Sequence, residues 1–220
     1  MAIKVEAWGD YALFTRPEMK VERVSADVIT PSAARGILES IFWHPGMRWQ
    51  VERIHVCAPI RFTNVRRNEV KSVLSAHTAR TVMERGTGEL RLVTSRDIQQ
   101  RAATLLRDVH YVIEASFTMT DRATPADNPG KFQEMTRRRL RKGQAYSQPY
   151  LGCREFPCQF RPCEEIPPCP PELLGTRDLG YMLYDLDYSD PADIRPMFFR
   201  AVLHDGVLTV PAPDSEEVKR

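Results

Sequence analysis

Residues 108–118 read Asp108-Val109-His110-Tyr111-Val112-Ile113-Glu114-Ala115-Ser116-Phe117-Thr118, and this stretch decides the fold. Val109, Tyr111, Ile113, Ala115 and Phe117 fall at every second position, which places them on one face of a strand. Upstream, Ile3, Val5 and Ala7 alternate in the same way with Lys4, Glu6 and Trp8, so Ile3 to Trp8 is a first strand. Gly9-Asp10 is expected to break it, leaving Tyr11 to Phe14 as a short apolar continuation. Between these strands, Thr30-Pro31 opens a helix. Thr30 supplies a capping hydroxyl, and Pro31 at the first helical position loses no needed hydrogen bond. Ala34, Ile37, Leu38 and Ile41 then share one helical face, and Pro45-Gly46 closes the segment. Trp49 to Val56 alternates as a strand, with Ile60 to Val65 as its continuation or return.

Downstream of Thr118, Asp121 to Gly130 is a connector. Pro129 suits the first turn of a second helix reaching Lys142, with Gly143 just past its end. The order strand, helix, strands, strand, helix predicts an α+β fold with a ferredoxin-like (RRM-like) βαββαβ unit. Two stretches carry no such period. Arg16 to Asp27 is charged and reads as loop. Arg66 to Gln100 is polar, with Gly86 and Gly88, and is long for a loop, so it holds some helix or a mobile excursion. After Cys153 the texture changes to Pro- and Cys-rich, followed by strands at Leu179 to Tyr188 and Phe198 to Val210. Asp205-Gly206 inside the second is a hairpin signal. The expected division is therefore residues 1–150 as the ferredoxin-like domain and 151–220 as a small C-terminal antiparallel β appendage.

The chain of 220 residues is long enough to bury a core, and 42% hydrophobic with 27% charged residues is an ordinary globular balance. A net charge of +2 hides a local concentration of Lys and Arg between Lys131 and Arg154. No apolar run is long enough to span a membrane, and the N-terminus Met1-Ala2-Ile3-Lys4-Val5-Glu6 has no leader-like core; a cytoplasmic protein with reduced thiols is expected. Cys153, Cys158, Cys163 and Cys169 run C-x4-C-x4-C-x5-C, too even and too wide for a structural zinc site, and the five histidines form no ligand pair. No nucleotide-binding loop, nucleophile elbow or paired-acid motif is present, so neither a metal nor another cofactor is expected.

The chemistry-bearing stretch is Lys131 to Lys142. Lys131, Arg138 and Lys142 lie near one helical face, and Arg137 and Arg141 on the next. Cations this dense repel unless an anion neutralises them, and a phosphate backbone is the natural one; a solvated basic face is the plain alternative. The helix N-terminus at Pro129-Gly130-Lys131 adds donors for a phosphate. Arg66-Arg67 after a strand suits phosphates or bases, or is a surface turn. Arg35 in the first helix points to a ligand or to solvent. Tyr146, Tyr150 and Phe156 follow the basic helix, as base-stacking residues or as core. Trp8, Phe42, Trp43 and Trp49 read as core.

Four phrases bring these segments together: Gly9-Asp10-Tyr11-Ala12-Leu13-Phe14-Thr15; Thr30-Pro31-Ser32-Ala33-Ala34-Arg35-Gly36-Ile37-Leu38-Glu39; Arg66-Arg67-Asn68-Glu69-Val70; and Gly143-Gln144 with Pro149-Tyr150-Leu151-Gly152-Cys153-Arg154-Glu155-Phe156. In this order they resemble the Cas-five proteins of CRISPR subtype I-C (the Dvulg subtype). The resemblance spans about residues 3 to 156. It implies an endoribonuclease that binds the hairpin of the CRISPR repeat and cuts the precursor RNA by metal-independent attack of a ribose 2′-hydroxyl. Such a protein then stays on the five-prime handle within the type I-C interference complex. CRISPR repeat RNA and the other subunits of that complex are the implied partners; a general nucleic-acid binder that also holds duplex DNA through the basic helix is a separate reading of the charge. A non-catalytic RNA-binding subunit is the alternative. Lys131 is the implied catalytic residue, with Arg35, Arg66, Arg67, Arg137, Arg138, Arg141, Lys142, Tyr146 and Arg154 against RNA. In the family a Tyr and a His share the chemistry with that Lys. Their positions here are Phe42 and Phe132, so His44 or Tyr146 is left as a substitute partner.

Overall fold

The computed structural model describes residues 2–19 and 21–220. Met1, from the N-terminal reading, and Lys20, within the charged Arg16 to Asp27 stretch, lie outside the described residues. The strands are β1 (Ile3–Ala12), β2 (Arg23–Val24), β3 (Met47–Val56), β4 (Phe62–Val70), β5 (Ile98–Met119), β6 (Gln159–Pro162), β7 (Thr176–Asp187), β8 (Arg195–His204) and β9 (Val207–Thr209). The helices are α1 (Pro31–Ile41), α2 (Ala76–Arg85) and α3 (Pro129–Lys142).

One sheet runs β6-β1-β5-β3-β9-β8-β7. Its first four strands stand in the spatial order 4-1-3-2 of their sequence order, all antiparallel, which is the ferredoxin-like arrangement. The stretch 108–118 is its spine. β5 pairs with β1 from Ile3↔Ala115 to Ala12↔Leu106 and with β3 from Met47↔Met119 to Val56↔Tyr111. Val5, Ala7, Ile113 and Ala115 are fully buried on the helix-covered face, as the alternation requires.

Both helices begin and end on local signals. The Thr30 hydroxyl accepts from Ala33 N–H and Pro31 is the first residue of α1. In α3 the Asn128 side chain accepts from Lys131 N–H, Pro129 comes first, and Gly143 follows in the left-handed conformation. α3 buries Phe132, Thr136 and Leu140, one residue per turn, so one narrow stripe faces the sheet and the remaining faces are free for cations.

One segment departs from the sequence reading, and in two others the structure decides between the alternatives. Gly9-Asp10 does not break β1, which continues to Ala12. A Cβ at Gly9 would sit 2.7 Å from Leu151 Cδ1 and 2.9 Å from the Pro157 carbonyl, so the glycine admits a returning chain rather than a turn. Ile60 to Val65 is a return rather than a continuation: β4 pairs with β5, not β3, and runs on to Val70. Arg66 to Gln100 is an arm of two strands with α2 at its tip, and α2 buries no residue. Beyond β6, Asp205 and Gly206 both take positive φ (49° and 74°) in the turn joining β8 and β9. β9 then pairs with β3, so the C-terminal hairpins extend the same sheet.

Candidate functional site

α3 starts where the connector after β5 ends, and its first two side chains part company. Phe132 is completely buried. Its ring centre lies 4.8 Å from that of His44, 5.9 Å from Phe42 and 6.3 Å from Phe117. Phe42 is 2% exposed, so the two positions at which the resemblance implies proton-transferring groups are core. A phenyl ring neither donates nor accepts a proton, and what these two supply is a wall.

Lys131 faces outward with its side chain 43% exposed. Its Nζ donates to Asp127 Oδ1 at 3.0 Å and to the Ala126 carbonyl at 3.3 Å, and it lies 6.0 Å from the Phe132 ring centre. Asp127 also accepts from the backbone N–H and hydroxyl of Thr124. Those two bonds, then the one from Lys131, hold its carboxyl well below the usual carboxylate range. The connector thus tethers an ammonium ion at the mouth of the ring cluster. The helix end itself offers fewer donors than expected. Pro129 has none, Lys131 N–H is spent on Asn128 Oδ1, and Phe132 N–H goes to the Asn128 carbonyl.

His44 comes from the turn between α1 and β3. Its Nδ1 accepts from Gly46 N–H at 3.1 Å, and its half-buried ring rests on Phe132. The same connector braces this turn: Thr120 N–H donates to the Gly46 carbonyl at 3.0 Å and its hydroxyl to the Pro45 carbonyl at 2.6 Å. A Cβ at Gly46 would meet Ala123 Cα at 2.9 Å and His44 Nδ1 at 3.1 Å. Trp43, expected in the core, is 56% exposed beside it.

The other expected contacts sort into three groups. Arg138, Lys142, Tyr146 and Arg154 are exposed, Tyr146 at 86%, its N–H anchored to the Ser40 carbonyl beside the end of α1. Arg141 is exposed and paired with Glu134, and Arg137 is half-buried along α3. Arg66 and Arg67 lie on β4, not on a loop. Arg66 is exposed, whereas Arg67 pairs with Glu155 and lies 5.5 Å from the Phe156 ring centre. Arg35 is committed elsewhere, to Glu39 at 2.7 Å and Asp185 at 2.8 Å. Burial opposes its charge, and the two carboxylates more than offset it. Sequence reading missed Arg139, which lies over the Phe42 ring and donates to the Ile41 carbonyl, tying α3 to α1. It also missed Asp127, although its place four residues before Lys131 was a usable signal.

On the opposite face of the sheet, buried Glu6 accepts from Arg161 and bonds His110 at 2.7 Å, a cross-strand clasp of β6, β1 and β5. Burial pushes the Cys57 and Cys158 thiols up to about 12. Among the described residues no three His, Cys, Asp or Glu side chains are grouped as metal ligands. None of the described helices is long and apolar enough to cross a membrane.

Comparison with known proteins adds the following. Residues 2–211 match the family model for the CRISPR-associated protein (Cas_Cas5). The CRISPR pre-crRNA endoribonuclease Cas5d of Mannheimia succiniciproducens is 50% identical over 223 residues, covering 99% of this chain and 98% of that protein. A crystal structure of a CRISPR-associated protein superposes with a TM-score of 0.70 at 22% identity, over 100% of this chain and 97% of the other. A chain of a CRISPR RNA-guided surveillance complex matches with a TM-score of 0.53 at 14% identity, over 96% and 92%. The two structures share the fold.

Proposed function

This chain belongs to the Cas5 family of CRISPR-associated proteins, and from that premise we propose that it cuts CRISPR precursor RNA within the repeat and then stays with the product as a subunit of the guide-bearing complex. The relative named as a pre-crRNA endoribonuclease, alike over nearly its whole length, supports the cutting. The shared fold with a surveillance-complex chain supports the second role. In this reading residues 1–150 together with Arg154 bind the RNA, the rest of 151–220 braces them and supplies β6 as the fourth strand of the ferredoxin-like sheet, and the setting is cytoplasmic, consistent with five unpaired cysteines.

One observation carries the reading: a tethered Lys131 ammonium stands at the head of a helix whose outer faces are basic. The RNA backbone lies along Arg138, Arg141 and Lys142, with Arg66, Arg67 and Arg154 as further contacts and Tyr146 under an unpaired base. At the cut, the 2′-oxygen attacks the adjacent phosphorus and the bond to the 5′-oxygen breaks. The 2′-hydroxyl proton leaves and the departing oxygen gains one, giving a cyclic phosphate and a 5′-hydroxyl. Lys131 neutralises the charge that builds on the phosphate oxygens during that step.

End-labelled repeat RNA incubated with the protein in EDTA tests this, beside the same RNA with one 2′-deoxy sugar at the cut and beside Lys131→Ala. The native RNA is expected to be cut and the deoxy RNA to stay whole. Lys131→Ala should be slower by on the order of 10²-fold with binding little changed. Native RNA that is bound but never cut would make the chain a non-catalytic subunit.

A further inference from the structure

The connector between β5 and α3 positions two groups, and only one of them has a role so far. Its Ala126 and Asp127 hold the Lys131 ammonium, and its Thr120 and Ala123 hold the turn that carries His44. Both side chains touch the same buried ring, Phe132. We propose that His44 is a catalytic residue, a neutral hydrogen-bond donor that works with Lys131 on the scissile phosphate. This rests on the processing reading above.

The geometry selects that role. Gly46 N–H donates into His44 Nδ1, so Nδ1 is the unprotonated nitrogen and the ring proton sits on Nε2. The same bond occupies the lone pair with which neutral imidazole would take a proton. Protonation at Nδ1 would set two N–H groups against each other at 3.1 Å. His44 is therefore built to present Nε2–H, not to shuttle protons. A fixed N–H donor and an ammonium gathered around one ring suit a phosphate passing to a pentacoordinate state, because its non-bridging oxygens gain charge there. The proton from the 2′-hydroxyl and the one for the 5′-oxygen are exchanged with water. Phe132, its ring centre 4.8 Å from that of His44, backs the imidazole, so a residue that carries no proton still locates the one that donates.

The test compares His44→Ala, His44→Asn and His44→Gln in single-turnover cleavage of repeat RNA, with affinity measured on the uncleavable deoxy RNA. Gln places an N–H near the Nε2 position; Asn keeps only the inner acceptor for Gly46. His44→Ala and His44→Asn are expected to lose on the order of 10²-fold in rate. His44→Gln should remain within about tenfold of the native protein, and all three should bind deoxy RNA within about threefold, which also shows that they fold. Gln as slow as Ala would mean a proton-transferring imidazole and overturn the donor role. Ala as fast as the native protein would overturn any role for His44. A native protein that does not cut removes the processing reading and this proposal with it, a result distinct from either.

Discussion

Helix α3 and the arm made by β4, α2 and the first half of β5 are both rich in arginine, yet they are anchored differently. α3 drives Phe132, Thr136 and Leu140 into the core, and its cations are referred to fixed points: Lys131 to Asp127, Arg139 to the Ile41 carbonyl. The arm is embedded only at its base, where Ala103, Leu105 and Leu106 are buried. Farther out its residues alternate between exposed and half-exposed, and at the tip Val73 is 91% and Met83 81% exposed. α2 has a good N-cap in Ser75 and a good stop in Gly86, so capping alone makes a helix here without giving it a place to pack. Lys131 and Arg139 on α3 are held at set distances from chosen atoms, whereas exposed Arg66 on the arm is carried on a ribbon. The first arrangement suits chemistry at one phosphate, the second suits contact along a strand of nucleic acid.

Four experiments would break or sharpen this contrast. The largest effect is on the core. Phe132→Ala should cost about 3–5 kcal/mol in denaturant unfolding, while Met83→Ala on α2 should stay within about 0.5 kcal/mol; similar values would erase the distinction. Next, residues 71–97 can be replaced by an Asn-Gly turn, because Val70 and Ile98 are register partners and Lys71 N–H already bonds the Asp97 carbonyl at 2.9 Å. The shortened protein should unfold cooperatively with a melting temperature within about 5 °C of the native one. A broad transition would show that the arm belongs to the core. Third, Arg138→Ala and Arg66→Ala should each reduce the salt dependence of RNA binding by about one unit of log–log slope; an unchanged slope for either removes that residue from the phosphate path.

The smallest effect concerns Asp127. Its folded carboxyl titrates below the ordinary value of about 3.9, so its stabilising contribution is fully present above that value and is lost as pH falls through the lowered folded one. Melting temperature followed from about pH 5 down to pH 2 should fall less steeply for Asp127→Asn than for the native chain. Parallel curves would mean that the tether contributes nothing measurable.

Much of the frame was legible because its signals are local. Thr30-Pro31 and Pro129 mark helix starts by rules that operate within three residues, and Gly143 marks a stop. The period of two in residues 108–118 reports a face buried against helices. The arm was not legible for the converse reason. Thr63 to Glu69 and Gln99 to Arg101 have no buried face, so nothing in their order of polar and apolar residues separates strand from loop. Gly9 misled because a glycine that breaks a strand and one that lets another chain approach look alike in sequence. Of the site, the basic face, Lys131 included, was readable from type and spacing, and the role of Lys131 was implied only by the family resemblance. Arg35 reads as equally available and is not, because Asp185, which neutralises it, lies on a strand far along the chain.

By itself the sequence determined the two core helices and their ends, the central strand, the Asp205-Gly206 turn, the basic surface of α3 and the absence of a proton-carrying group at Phe42 and Phe132. These follow from residue chemistry and from periods of two or 3.6 residues, which need no knowledge of distant neighbours. Only the tertiary structure decided that His44 lies against Phe132, that one connector braces it and Lys131 together, that Arg139 closes over Phe42 and that the C-terminal hairpins join the sheet through β9. Each is a contact between segments separated by long loops. Such contacts are set by how whole faces pack, a property that no short window of sequence contains.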